Sequence, residues 1–295
     1  SPAPPKVRPG MDNGYRTGHQ FSAFGNFMVL TGGMRDQGKV HNDVYVLNLD
    51  NKVWTRPNVQ TVRPLMHAAN ANQRIRAGVT EEGLPTARTG HSCTSFSHGI
   101  VLFGGFDGTF LADVHYLRFQ SGVGAVLGVG EEGKVVVSRI VDQSSAQDQN
   151  VEEGDVLLSV EDRSIGEGEE ELAAARGALI GEIGTYVSVV LSRKKKGMAA
   201  SDKVPLLLRR GERLDCDDGQ WLWDRPGVMD EGMSHSSWFY TSGVSGSASG
   251  SAPSPRFYHS HSRLDNGVLV FGGYDGSTYK QDLYLLETSD GVTEG

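Results

Sequence analysis

Cysteine is scarce in this 295-residue chain. The two that occur, Cys93 and Cys216, lie far apart, and the disulfide framework of a secreted domain needs more. No Asn-x-Ser/Thr glycan acceptor occurs either. Both absences favour a reducing, intracellular compartment and name no organelle. No apolar run approaches the roughly 20 residues that cross a bilayer, so no membrane span is expected. No secretory h-region opens the chain, but it starts at Ser1 rather than Met, so an upstream segment is expected to have been removed. Basic residues are outnumbered. The 28 Lys and Arg face 36 Asp and Glu, and a net charge of -8 works against a nucleic-acid partner, because phosphate binding relies on a basic surface that displaces counterions. No G-x-S-x-G elbow marks a hydrolase nucleophile.

Glycine is abundant, with 39 residues, which suits many short strands joined by tight turns. One pattern occurs three times. An Arg-x-x-His opens it, an apolar run follows and ends in Gly-Gly, and an Asp-x-aromatic (or His) segment comes next. The copies hold Arg16, His19, Gly32, Gly33, Asp43 and Tyr45; Arg88, His91, Gly104, Gly105, Asp113 and His115; and Arg256, His259, Gly272, Gly273, Asp282 and Tyr284. Self-similarity at a long period signals repeated supersecondary units, which serve more often as binding surfaces than as reaction centres. Each copy predicts a strand after the His, a buried strand before the glycines and a third at the Asp-x-aromatic. In the first copy an Asp50-Asn51 turn leads to a fourth strand with Trp54. The glycines relieve crowding between strands. Tyr45 and Trp54 are expected to stack sheet on sheet. The Arg and His are expected to bind carbonyls or the Asp that follows the glycines, such as Asp107 and Asp275.

This combination resembles the Kelch-repeat β-propellers over 16–56, 88–119 and 256–287. Propellers close with about four to eight blades. Three are recognisable, and the third stops before its fourth strand, so either the chain is a fragment, or degenerate blades hide elsewhere, or a second chain completes the ring. Hidden strands are also possible in 58–84 and 226–255, where 235–241 is the most strand-like stretch. In the second copy the matching turn and Trp221 come only at 217–221, after a long intervening stretch. A domain inserted in that turn is expected, since the loop tips of rigid scaffolds tolerate insertion.

The intervening stretch reads as strands at 125–129, 134–141, 156–160 and 186–191, with a helical turn at 145–149 and a helix at 169–179. That helix carries Leu172, Ala175 and Leu179 on one face. Three segments resemble a PDZ domain: Gly122-Val123-Gly124-Ala125, like its carboxylate-binding loop; 151–160, its most recognisable stretch; and 183–187, the entry to its last strand. The resemblance implies that a partner's C-terminal or extended peptide adds a strand beside 125–129 by β-augmentation. Its carboxylate would lie on the amides of Val123, Gly124 and Ala125. The peptide groove would be made by Val126, Leu127, Val129, Glu169, Leu172, Ala175 and Leu179, with Glu169 reading the residue two before the end. Ala125 stands where the family has a large apolar residue.

Other motifs read plainly. Gly128–Gly133 spells G-x-G-x-x-G, but a strand follows where a dinucleotide site needs a helix, so it reads as a hairpin turn. The basic run 193–196 and the acidic run 167–171 read as solvated segments, the latter favourable at a helix start. The recurring His19, His91 and His259 read as structural. The expectation is a mainly β chain: a partial Kelch-type propeller with an inserted α+β PDZ-like domain. It divides into a Pro-rich arm (1–14), blade 1 (15–57), a linker (58–84), blade 2 strands one to three (85–117), the insert (118–197), a return segment with the fourth strand (198–225), a Gly/Ser-rich linker (226–254) and an incomplete blade 3 (255–295). The function expected is a non-enzymatic protein-interaction scaffold, with the insert binding a C-terminal or extended peptide and the Kelch blades a second protein, and with no catalytic residues, cofactor or metal. Two alternatives stay open: a structural accessory subunit with its groove unused, and a propeller-based metal enzyme.

Overall fold

The computed structural model describes residues 6–7, 15–61, 78–80, 82–96, 99–194, 201–211, 213–224, 236–241, 253–265 and 267–288. Most of the Pro-rich arm, most of the linkers 58–84 and 226–254, and the end of the basic run at 195–196 lie outside these residues. The chain is mainly β. It forms two compact units, one of residues 1–118 and 222–295 and one of residues 119–221.

Among the described residues the first unit holds three sheets, one per repeat copy. The first runs Gln20–Phe24, Phe27–Thr31, Val44–Asn48 and Val53–Thr55, with Lys6–Val7 added in parallel to the last. The second runs Ser92–Phe96, Gly99–Phe106, Phe110–Ser121 and Gly219–Asp224, with Val59–Thr61 at its outer edge. The third runs Ser260–Leu264, Gly267–Phe271 and Leu283–Thr288. Its outer strand corrects the expectation of an incomplete third copy. Ser236–Thr241, from upstream in the chain, pairs antiparallel along Leu283–Thr288 and fills the fourth place. The run before each Gly-Gly is an inner strand of its sheet; Phe27, Val29 and Ile100 are each about fully enclosed, as is Val270 in the third copy, whose run ends on the exposed Phe271.

The repeat's polar residues form one clamp, built three times. Arg16 pairs with both carboxylate oxygens of Asp43, at 2.6 and 3.2 Å; Arg88 with those of Asp113, at 2.7 and 2.8 Å; and Arg256 with those of Asp282, at 2.5 and 2.9 Å. Each guanidinium also donates to the carbonyl of the first glycine of its own doublet: Gly32, Gly104 or Gly272. The partner is therefore the Asp of the Asp-x-aromatic (or His) segment, not Asp107 or Asp275. Asp107 instead accepts from Thr86 and Thr109, and Asp275 caps a turn at Ser277 and Thr278. The planar, bidentate fork explains why Arg fills this place. Tyr45 and Tyr284 lie under the guanidinium groups of Arg16 and Arg256, at 5.4 and 5.3 Å. Tyr45 and Trp54 belong to one cluster within the first sheet, with Leu30 and Leu47. His115, where the other copies have Tyr, bonds to Asp113 through Nε2 at 2.7 Å.

Gly105 sits at φ +102°, and a Cβ there would lie 2.9 Å from the His91 Cβ and 2.9 Å from the Thr89 carbonyl oxygen. Both backbone strain and crowding oppose a side chain. We expect Gly105→Ala to lower unfolding stability by about 3 kcal/mol, read as a fall in denaturant midpoint at constant m.

The second unit is a sheet ordered Ala125–Val129, Val135–Ile140, Val156–Val160, Tyr186–Lys194 and Ser201–Arg209, with Arg163–Ser164 beside Val156–Val160. The G-x-G-x-x-G segment is a hairpin connection: a single 3-10 turn, Glu131–Gly133, joins the first two strands. The helix Glu169–Leu179 lays Leu172, Ala175 and Leu179 on the sheet, where they join one core with Ala125, Leu127, Val137 and Val189. Each fully buried Leu or Val contributes about 1.5–3 kcal/mol. A shorter helix, Ser145–Asp148, is capped by Ser144, whose hydroxyl accepts from the Gln147 amide.

Candidate functional site

The strand Ala125–Val129 is the edge of the second unit's sheet and runs beside the helix Glu169–Leu179. An edge strand presents main-chain donors and acceptors to whatever lies alongside. The loop Gly122-Val123-Gly124-Ala125 leads into it. Gly124 adopts φ +89°, and a Cβ there would fall 2.1 Å from Ser144 Oγ, so only glycine fits.

A carboxylate already sits on this loop, and it comes from the chain itself. The amide of Gly124 donates to Asp218 Oδ2 at 2.5 Å, and the amide of Gly122 donates to the Asp218 carbonyl at 2.6 Å. Burial pushes the Asp218 carboxyl up to about 7, against the Gly124 hydrogen bond, which stabilises the anion; Asp215 raises it further and Arg139 lowers it. The segment before Asp218 is tethered. Arg139, on Val135–Ile140, binds both oxygens of Asp215 at 3.1 Å and reaches Asp217 at 3.3 Å.

A second internal contact crosses toward the edge strand. Arg176, on the helix, donates to the Leu127 carbonyl at 2.7 Å. A shallow cleft remains, lined by Ala125, Val126, Leu127, Arg176, Leu179 and Asp218.

The residues singled out from the sequence are thus brought to one place, with different roles. Val123, Ala125, Leu127, Leu172, Ala175 and Leu179 are buried in the core, and of these Ala125, Leu127 and Leu179 also line the cleft. Val126 is half-buried and lines the cleft. Val129 is exposed at the far end of the strand, and Glu169 is exposed on the first turn of the helix. Asp218, Arg176 and Arg139 were missed. The acid-rich run Asp215-Cys216-Asp217-Asp218 was the available signal, and it read only as a strand-connecting turn.

The groups considered for metal or nucleophilic chemistry have other duties. His91 Nε2 meets Thr31 Oγ1 at 3.0 Å, and His259 Nε2 meets Ser92 Oγ at 2.8 Å. Burial lowers both imidazoles to about 3, so they are neutral at pH 7. Burial pushes the Cys93 thiol up to about 12, far from a reactive thiolate. Among the described residues no group of three or more His, Cys, Asp or Glu is placed to hold a metal, and no helix is long and apolar enough to cross a membrane.

No family model matches the chain. A stretch of 38 residues, 13% of the chain, is 53% identical to part of a probable serine/threonine-protein kinase of Dictyostelium discoideum. The match spans 3% of that protein's length, a share that carries no statement about catalysis.

Proposed function

We propose that the chain is a non-enzymatic protein-interaction scaffold. In this reading the three sheets are blades of a Kelch-type propeller and residues 119–221 are a PDZ-like insert. The insert takes a C-terminal or extended peptide along Ala125–Val129, with the peptide's carboxylate on the Gly122–Ala125 loop. The observation that carries it is the Asp218 carboxylate on the Gly124 amide: the loop accepts a carboxylate, and its own chain supplies one. A visiting terminus would have to displace Asp218 and the Arg176 bond to Leu127. The internal carboxylate competes at high effective concentration, which lowers peptide affinity in the parent chain.

Titration with a library of peptides with free C-termini tests this. Asp218→Ala should bind at least about tenfold more tightly than the parent, equivalent to about 1.4 kcal/mol, and amidated peptides should not bind. Thermal unfolding of the same samples reports whether the variant is folded. Failure of the folded variant to bind any peptide saturably would sink the proposal. It would favour the second reading, a structural subunit whose groove is permanently filled by Asp218 and Arg176, for which those same two contacts speak.

A further inference from the structure

The two junctions between neighbouring sheets in the first unit are built alike. From the first sheet to the second, the Gly33 amide donates to the Arg88 carbonyl at 2.8 Å, the His91 ring meets Thr31, and the Gly90 amide donates to the Gly18 carbonyl at 2.8 Å. From the second to the third, the Gly105 amide donates to the Arg256 carbonyl at 2.9 Å. The His259 ring stands edge-on to Phe103 at 5.1 Å, and the Tyr258 amide donates to the Gly90 carbonyl at 2.8 Å. Each sheet therefore offers an accepting face and receives an Arg-x-x-His segment from the next.

The accepting face of the third sheet receives nothing among the described residues. Phe271, in the place of Thr31 and Phe103, is 49% exposed where they are 2%. Leu264 is 38% exposed where its equivalents Phe24 and Phe96 are 4% and 8%. A Cβ on Gly32 or Gly104 would strike the next sheet's Arg carbonyl at 2.8 Å, whereas on Gly272 it would meet only the Lys280 carbonyl oxygen, at 3.4 Å. The offering face of the first sheet is open in the same way. Phe21 is 43% exposed where the equivalent Cys93 is 2% exposed, and His19 is half-buried where His91 is 1% exposed. The groups missing at one end are the groups presented at the other.

We propose that two copies of this chain associate head-to-tail, the first sheet of each docking on the third sheet of the other. At each junction the Gly273 amide donates to the Arg16 carbonyl of the second copy, His19 of that copy packs edge-on against Phe271, and its Gly18 amide donates to the Tyr258 carbonyl. Two such junctions close the three described sheets of each copy into a ring of six, within the range of about four to eight in which propellers close; the described sheets of three copies would exceed it. The inference rests on the propeller reading above, but not on peptide capture.

Sedimentation analysis of the full chain at micromolar concentration is the test. The expected particle has twice the 31.8 kDa of one chain. Phe271→Glu and Phe21→Asp, both at exposed positions, should each give a folded monomer that melts in a cooperative transition, at a lower temperature than the dimer by the stability that association adds. Leu264→Glu, on the same face as Phe271, is the second variant should Phe271→Glu not fold. Mixing the two monomeric variants should restore a dimer, because one intact offering face then meets one intact accepting face. A parent chain that stays monomeric overturns the ring, as does a dimer lost in only one of the two variants or not restored on mixing. A monomer that still captures peptides overturns the ring alone, and a dimer that captures none leaves the ring standing.

Discussion

Arg88→Ala is expected to lower unfolding stability by about 3–5 kcal/mol, the cost of leaving a buried charge without its partner. That is a large share of the roughly 5–15 kcal/mol that holds a domain folded. Arg88 is 1% exposed and joins five groups: Asp113, the carbonyls of Gly104, Gly78 and Thr86, and the Thr86 hydroxyl. Removing it strands the Asp113 carboxylate, which keeps only the hydrogen bond from His115 among the contacts described above. Arg88→Lys should fall between parent and alanine, since an ammonium keeps the charge and loses the fork. The pH profile supplies a second check. Burial pushes the Asp113 carboxyl up, but the Arg88 charge and the bonds from His115 and Arg88 outweigh it and hold the carboxyl well below the ordinary range. An acid with a depressed folded pKa stabilises above its unfolded value of about 4, and that stabilisation is lost as pH falls through the folded value. Acid should therefore unfold the parent more steeply than the alanine variant, measured by denaturant midpoints from pH 7 down to pH 3. Equal slopes would remove Arg88 as the cause.

Asp218→Asn is expected to do the opposite and stabilise the protein at pH 8. Asp218 is an acid whose folded pKa, about 7, lies above its ordinary 3.8, so the folded chain binds its proton more tightly than the unfolded chain. The sign follows: this group's favourable contribution is full below about pH 4 and is lost as pH rises through about 7. Each unit of difference is worth about 1.4 kcal/mol, which makes the loss on the order of a few kcal/mol for a group this buried. Asparagine keeps an oxygen for the Gly124 amide and carries no charge to desolvate. Its stability should be flat between pH 5 and pH 8, where the parent declines. Asp218→Ala should gain less, because the Gly124 N–H loses its acceptor at a cost of about 1–3 kcal/mol. A parent with no such decline would show that the loop tolerates the ion at no cost.

Much of the first unit was legible because its signals are local. The 16-residue step from Arg16 to Gly32 recurs from Arg88 and from Arg256, with an Asp 25 to 27 residues after each Arg, and strand patterning follows from the apolar run before the doublet. What failed was partner choice. Asp107 and Asp113 both follow a Gly-Gly, and only the three-dimensional reach of Arg88 distinguishes them. The outer strand of the third sheet, Ser236–Thr241, escaped assignment to that sheet because it precedes the copy it completes. In the second unit the loop, edge strand and helix were readable from glycine placement and from Leu172, Ala175 and Leu179. Asp218 was not, since a carboxylate far along the chain carries no periodicity that aims it at Gly124. Arg176 was missed for a similar reason. A long side chain on a helix can point to water or reach across to a strand, and spacing alone does not choose.

The placing of Gly219–Asp224 next to Phe110–Ser121 bears on how the protein is made. As the chain leaves the ribosome, the hydrogen-bonding edge of Phe110–Ser121 is translated long before the strand that covers it. The whole of the intervening unit must emerge first. Throughout that interval the nascent polypeptide carries an uncovered β-edge, the feature that recruits chaperones or seeds aggregation. Slow synthesis or slow folding between Ser121 and Gly219 would lengthen that exposure, and the yield of intact protein would be set there.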